Sequence, residues 1–219
     1  MIERDRVRAL SAAALCLDYP DQRLLDRLGL LEQAAAALPP DAGVPLGRFV
    51  AYLASTDPAQ LATTYVDTFD LRRRCCLYLT YYTHGDTRKR GVALVRFTAA
   101  YRQAGLALAS AGPAAGEGVA GGRGELPDHL GVVCEVAAHA PDVGLPLLAE
   151  HRAAIELLRM ALVEAGSAYV DVLDTLRAAL PDAAPADLDR ALALARSGPP
   201  EEEVGLEPFA PPEYMGGRR

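Results

Sequence analysis

The chain has 219 residues, about half of them apolar, and a formal net charge of −7. That length suits one well-buried domain, and the acidic balance argues against nucleic acid, whose phosphates need a basic face to displace counterions. No apolar run reaches the roughly 18 residues of a membrane span, and MIERDRVRAL is charged from Glu3 onward, so neither a span nor a secretory signal is expected and the cytoplasm is the expected location.

Helical period dominates from the start. Val7, Leu10, Ala14 and Leu17 fall on one stripe, which predicts a helix ending before Asp18-Tyr19-Pro20. A second helix is expected over Asp21 to Ala37, stopped by Pro39-Pro40. Pro45 is a start signal for a third, with Leu46, Phe49, Val50 and Leu53 as its apolar face. Asp57-Pro58 opens a fourth, Asp57 accepting from first-turn amides and Pro58 sitting where a missing N–H costs nothing. Leu61, Tyr65 and Phe69 form its edge.

Next comes the densest stretch, YVDTFDLRRRCCLYLTYYTHGDTRKRG from Tyr65 to Gly91. A fifth helix is expected from Arg74 to Thr83, broken at Gly85, with Asp86 placed to cap a long helix carrying Leu94, Phe97, Tyr101, Ala104 and Leu108. Tyr78, Tyr81, Tyr82, His84 and Asp86 bring more polar tips than core packing requires, which suggests a recognition surface. Arg72-Arg73-Arg74 and Arg88-Lys89-Arg90, interleaved with Asp67, Asp70 and Asp86, read as salt-bridged helix ends. The small-residue stretch from 112 to 124 is expected to be a mobile loop.

After that loop, Glu125-Leu126-Pro127-Asp128-His129 leads into a helix lined by Leu130, Val133, Cys134 and Ala137, with Asp128 as its candidate cap. Leu147, His151, Ile155, Leu158 and Leu162 make the following stripe, and Ser167 caps a helix facing inward through Tyr169, Val172, Leu173, Leu176 and Leu180. Leu188, Leu192 and Ala195 close the folded part. No stretch alternates long enough to make a strand. The expected fold is therefore all-α, a single-domain bundle of about nine to ten helices over residues 1–196. From Ser197 onward the composition turns to proline and glutamate, five glutamates against two arginines. That tail, 197–219, reads as flexible and solvated, with Val204, Leu206 and Phe209 as the anchors available for docking back on the body.

Standard catalytic constellations are absent: the sequence has no phosphate loop, no GxGxxG, no HExxH and no GxSxG. His84, His129, His139 and His151 are spaced too widely for a tight metal pair, and Cys16, Cys75, Cys76 and Cys134 show no CxxC spacing, so no metal and no cofactor is expected. His151 reads as a core-edge imidazole with one hydrogen bond, and His139 as a charge near helix C-terminal carbonyls. Glu125, Asp128 and His129 form an anionic turn with a titratable donor beside it.

The Tyr65–Gly91 stretch followed by ELPDHL at 125–130 resembles the NarJ branch of the TorD/DmsD family, through FD at 69–70, LYLTYY at 77–82, HGDTR at 84–88 with Gly91, and ELPDH at 125–129. The resemblance covers about residues 5–196. It implies a non-enzymatic, all-helical chaperone of molybdenum enzymes that binds the catalytic (alpha) subunit of respiratory nitrate reductase before its cofactor is inserted, as a monomer or weak dimer. It further implies that the client's N-terminal, signal-like segment lies as an amphipathic helix in a groove. Tyr65, Phe69, Tyr78, Tyr81 and Tyr82 are the expected trough, and Asp70, Asp86, Glu125 and Asp128 the rim that meets basic residues. Carried over by position, Glu125, Asp128 and His129 weigh most, then Tyr81, His84, Gly85 and Asp86. The alternative is a helical nucleotide-binding protein or enzyme using Glu125, Asp128 and His129.

Overall fold

The computed structural model describes residues 1–108 and 124–197. The loop expected at 112–124, apart from Gly124, and the tail beyond Ser197 lie outside the described residues. Among those described there are twelve α-helices, ten of them at least seven residues long, and no strand, so the chain is all-α.

Helix α1 (Glu3–Cys16) is a central element. Its buried stripe runs through Ala9, Leu10, Ala13 and Cys16, with Val7 and Ala14 at its half-buried margins. Small residues on this stripe let α1 approach α8 (Leu130–His139) and α11 (Val170–Ala179) closely. The expected helix over 21–37 is two. Asp21 caps α2 (Gln22–Leu25), its Oδ1 accepting from the amides of Arg23 at 2.9 Å and Leu24 at 3.3 Å, and α3 (Leu28–Ala37) follows after a turn.

Helix α4 (Pro40–Ser55) starts five residues before the expected Pro45 signal and carries that proline inside. The interior proline is tolerated because the carbonyl it leaves without a donor belongs to Asp41, in the first turn. Helix α9 (Pro141–Glu150) repeats the device with Pro146. There the chain also exploits a glycine: a Cβ on Gly144 would stand 2.3–2.6 Å from Ala137 atoms, so α8 and α9 touch backbone to backbone.

Asp57 and Pro58 open α5 (Pro58–Tyr65) as the sequence predicts. A π-helical turn at Val66–Asp70 then re-aims the chain, so that Phe69 joins Tyr65 in the core. The expected helix over 74–83 is a 3-10 turn at Arg73–Cys75, an extended piece, and the short α6 (Leu79–His84). Helix α7 (Arg88–Gln103) has Thr87 at its start with no side-chain cap, so Asp86 does not cap it; instead Asp86 pairs with Arg90 at 3.2 Å.

The stripe expected through His151 breaks there, between α9 and α10 (Arg152–Glu164). Helix α10 is buried on every side over its first half, against α6, α9, α11 and α12 (Pro185–Ser197). Within it the buried Glu156 accepts from Arg152 and Arg177 Nε, each at 2.9 Å.

Candidate functional site

The ELPDH turn is held in place from three sides. Leu77 to Leu79 lie antiparallel to it: the amide of Leu79 donates to the Asp128 carbonyl at 3.0 Å, and that of Leu130 to the Leu77 carbonyl at 2.8 Å. From α7 the Tyr101 hydroxyl donates to the Pro127 carbonyl at 2.6 Å. From α6 the Thr80 amide and hydroxyl both donate to Asp128 Oδ2, at 3.2 and 2.5 Å. Asp128 is fully buried, so its carboxylate caps α6 and neither caps α8 nor stands on a rim. This corrects both expectations for it.

Tyr78 is where the two halves of the motif meet. Its hydroxyl donates to Glu125 Oε2 at 2.8 Å, its ring lies edge-on to His129 with centroids 5.5 Å apart, and the Arg90 guanidinium stacks 5.3 Å from its centroid. Burial, followed by the hydrogen bond and charge of Glu125, pushes the Tyr78 hydroxyl far above its ordinary range, so it remains a donor. Arg90 also reaches Thr80 Oγ1 at 3.3 Å and lies 3.8 Å from Asp128 Oδ2.

Glu125 and His129 open on a cavity of about 410 Å3 between the C-terminal half of α1, α2 and α8. Ala14, Leu15, Leu24 and Val132 give it an apolar floor; Asp18, Asp21 and Glu135 add carboxylates, and Arg23, Arg27 and His139 add basic groups. A Cβ on Gly131 would meet the His129 ring at 3.2 Å and the Ala14 carbonyl at 3.4 Å, so glycine there leaves space for the imidazole beside α1. Burial lowers the His129 pKa, opposed by the negative charges of Glu125, Asp18 and Asp128. At neutral pH it is an uncharged ring with both donor and acceptor capacity.

The remaining predicted residues divide. Tyr65 and Phe69 are core: their rings stack with each other and with Tyr169 on α11, and the Tyr65 hydroxyl donates to the Leu17 carbonyl at 3.1 Å. Tyr82 is buried and ties down its own loop, donating to the Arg74 and Cys76 carbonyls. Tyr81 is buried beside it. None of these four lines the cavity: Tyr65 and Phe69 are used in core closure, Tyr82 in anchoring its loop, and Tyr81 packs edge-on against Tyr82. Gly85 ends α6 at φ 56° and ψ −151°, a conformation open to glycine alone. His84, Asp86 and Asp70 are outside the cavity lining, with Asp86 and Asp70 exposed. Of the expected set, Glu125 and His129 line the cavity, and Tyr78 contacts both without being part of the lining.

Sequence reasoning missed Asp18, Arg23, Arg27, Glu135 and His139. A signal existed: Val132, Glu135 and His139 follow each other at helical steps on one face of α8, while Ala14 lies on α1 and Asp18 just past its C-terminal end.

A family model described as nitrate reductase delta subunit matches residues 35–174. The nitrate reductase-like protein NarX of Mycobacterium tuberculosis (strain ATCC 25618 / H37Rv) is 43% identical over 158 residues, which is 72% of this chain and 22% of that relative's length. The nitrate reductase molybdenum cofactor assembly chaperone NarJ of Escherichia coli (strain K12) is 32% identical over 164 residues, 73% of this chain and 64% of the relative. A probable chaperone of the same name from Bacillus subtilis (strain 168) is 28% identical over 181 residues, 80% of this chain and 90% of the relative.

Proposed function

The chain belongs to the nitrate reductase delta subunit family, and from that premise we propose that it is a non-enzymatic assembly chaperone for the catalytic (alpha) subunit of respiratory nitrate reductase. In this reading it works in the cytoplasm and holds the apo subunit open while the molybdenum cofactor, cargo for the client, is inserted. The observation that carries the reading is the match of most of the chain to two relatives named as molybdenum cofactor assembly chaperones. No helix among the described residues is long and apolar enough to cross a membrane.

The client's N-terminal segment engages the cavity between α1, α2 and α8. A cationic amphipathic helix needs a place for apolar anchors and carboxylates for its basic residues. Ala14, Leu15, Leu24 and Val132 offer the first, and Asp18, Asp21, Glu125 and Glu135 the second. About 410 Å3 accommodates side chains, so the client's backbone lies along the mouth. Tyr78 holds Glu125 in a fixed orientation before the client arrives. Tighter binding of the unfinished client than of the finished one delays docking on the membrane partner and yields release once the client closes over its cofactor.

The enzyme alternative gains nothing from the geometry, since Asp128 faces Thr80 and not Glu125 and His129. Capture of the native client from cell extract on the immobilised full chain, followed by mass identification, tests the function. Recovery of the nitrate reductase catalytic subunit is the expected result, and its absence from captured protein under conditions where the client is expressed contradicts it.

A further inference from the structure

Helix α7, RKRGVALVRFTAAYRQ, carries five basic residues and no acid in a chain of net charge −7. Arg90 is taken by Asp86 and Asp128, and Arg96 by Glu150 at 3.2 Å. Among the described residues Lys89 and Arg102 have no acidic partner. Between them Val92 and Val95 are 68% and 66% exposed. At about 100° per residue, Lys89, Val92, Val95, Arg96 and Arg102 fall within one arc of roughly 140° opposite the buried Ala93, Phe97 and Tyr101. Its charge is the wrong sign for the cationic client segment.

We propose that this face of α7 is a docking surface for the acidic stretch 201–213 of this same chain. That stretch supplies Glu201, Glu202, Glu203, Glu207 and Glu213 for the cations, and Val204, Leu206 and Phe209 for the two valines. Length permits the contact: at about 3.3 Å per extended residue, Glu207 reaches roughly 33 Å from Ser197 and Glu213 roughly 50 Å, against a radius of gyration of about 17 Å for a chain this long. The contact is partly electrostatic and weakens with salt over the range in which the Debye length falls from about 10 Å to about 3 Å. It does not depend on the identity of the client.

Lys89 is the only lysine in the chain, which gives a specific test. Carbodiimide coupling of the purified full-length protein at low salt, read by mass spectrometry, is expected to join Lys89 to a glutamate of 201–213 within one molecule. Yield is expected to fall at least fivefold in 1 M salt and in a Val92→Ser, Val95→Ser, Arg102→Gln variant, whose substituted side chains are exposed. Coupling confined to Asp86 or other residues of the helical body, coupling between two copies, or a yield indifferent to the triple substitution overturns the proposal. Cosedimentation with phosphatidylglycerol vesicles that depends on the same three residues, without the intramolecular link, assigns the face to lipid and overturns it equally.

Discussion

Asp128 caps a helix to which it does not belong. Its Oδ2 takes the Thr80 amide at 3.2 Å and the Thr80 hydroxyl at 2.5 Å, 48 residues back along the chain, with no exposure to solvent. Asp128→Ala leaves both donors and part of Arg90 buried without an acceptor, and is expected to cost about 3 kcal/mol. Asp128→Asn keeps one acceptor and recovers part of that. Denaturant unfolding checks the order, and a loss below about 1 kcal/mol for the alanine variant contradicts the capping role.

Tyr65 and Tyr78 separate core from site. Tyr65→Phe removes the donor to the Leu17 carbonyl and is expected to lower stability by about 1 kcal/mol while leaving client affinity unchanged. Tyr78→Phe releases Glu125 and is expected to weaken client peptide several-fold with a smaller stability change. Paired calorimetry and unfolding curves distinguish the two; equal effects of both substitutions on affinity contradict the division.

Burial lowers the pKa of both His129 and His151 in the fold, so the unfolded chain binds more protons as pH falls. Their contribution is fully present above the ordinary imidazole value of about 6.5 and is lost as pH drops through it toward the depressed folded values. The His151 Nδ1–H donates to the Leu147 carbonyl at 2.9 Å, and the ring packs on Phe97. In His151→Gln the fall in unfolding free energy between pH 7 and pH 5.5 is expected to be shallower, by at most about 1.4 kcal/mol per pH unit. An unchanged slope contradicts a neutral, half-buried His151.

Gly144→Ala drives a methyl group into the backbone of Ala137, where neither helix has a flexible side chain to yield. A destabilisation of about 3 kcal/mol or more is expected, read as a lower unfolding midpoint, against a gain of up to about 1 kcal/mol at Gly91, a helical position where a Cβ meets nothing.

The helical periods were legible because most stripes are long and regular, and Asp57-Pro58 announced its helix start through local chemistry alone. Pro45 misled for a reason visible only in three dimensions: a proline six positions into a helix breaks a bond in the first turn, so Pro40 was free to start α4 earlier. The tyrosines misled for a related reason. A polar tip signals that a hydroxyl finds a partner, and for Tyr65 and Tyr82 the partners are carbonyls of the chain itself. Motif positions 125 and 129 pointed at the cavity, but its opposite wall, Asp18 to Arg27, comes from a segment distant in sequence. Only the crossing of α1 and α8 brings the walls together. The buried Arg152–Glu156 pair was hidden likewise, because a charged pair four residues apart looks the same on an exposed face.

The cavity claim meets its most direct test in titration calorimetry of the full-length protein with a peptide from the N-terminus of the nitrate reductase catalytic subunit, using the natural chain, Glu125→Gln and Asp86→Asn. The account predicts micromolar binding that weakens about tenfold, about 1.4 kcal/mol, in Glu125→Gln and is unchanged in Asp86→Asn, whose carboxylate is outside the cavity lining. No heat at tens of micromolar, or equal affinity for Glu125→Gln and the natural chain, would contradict it.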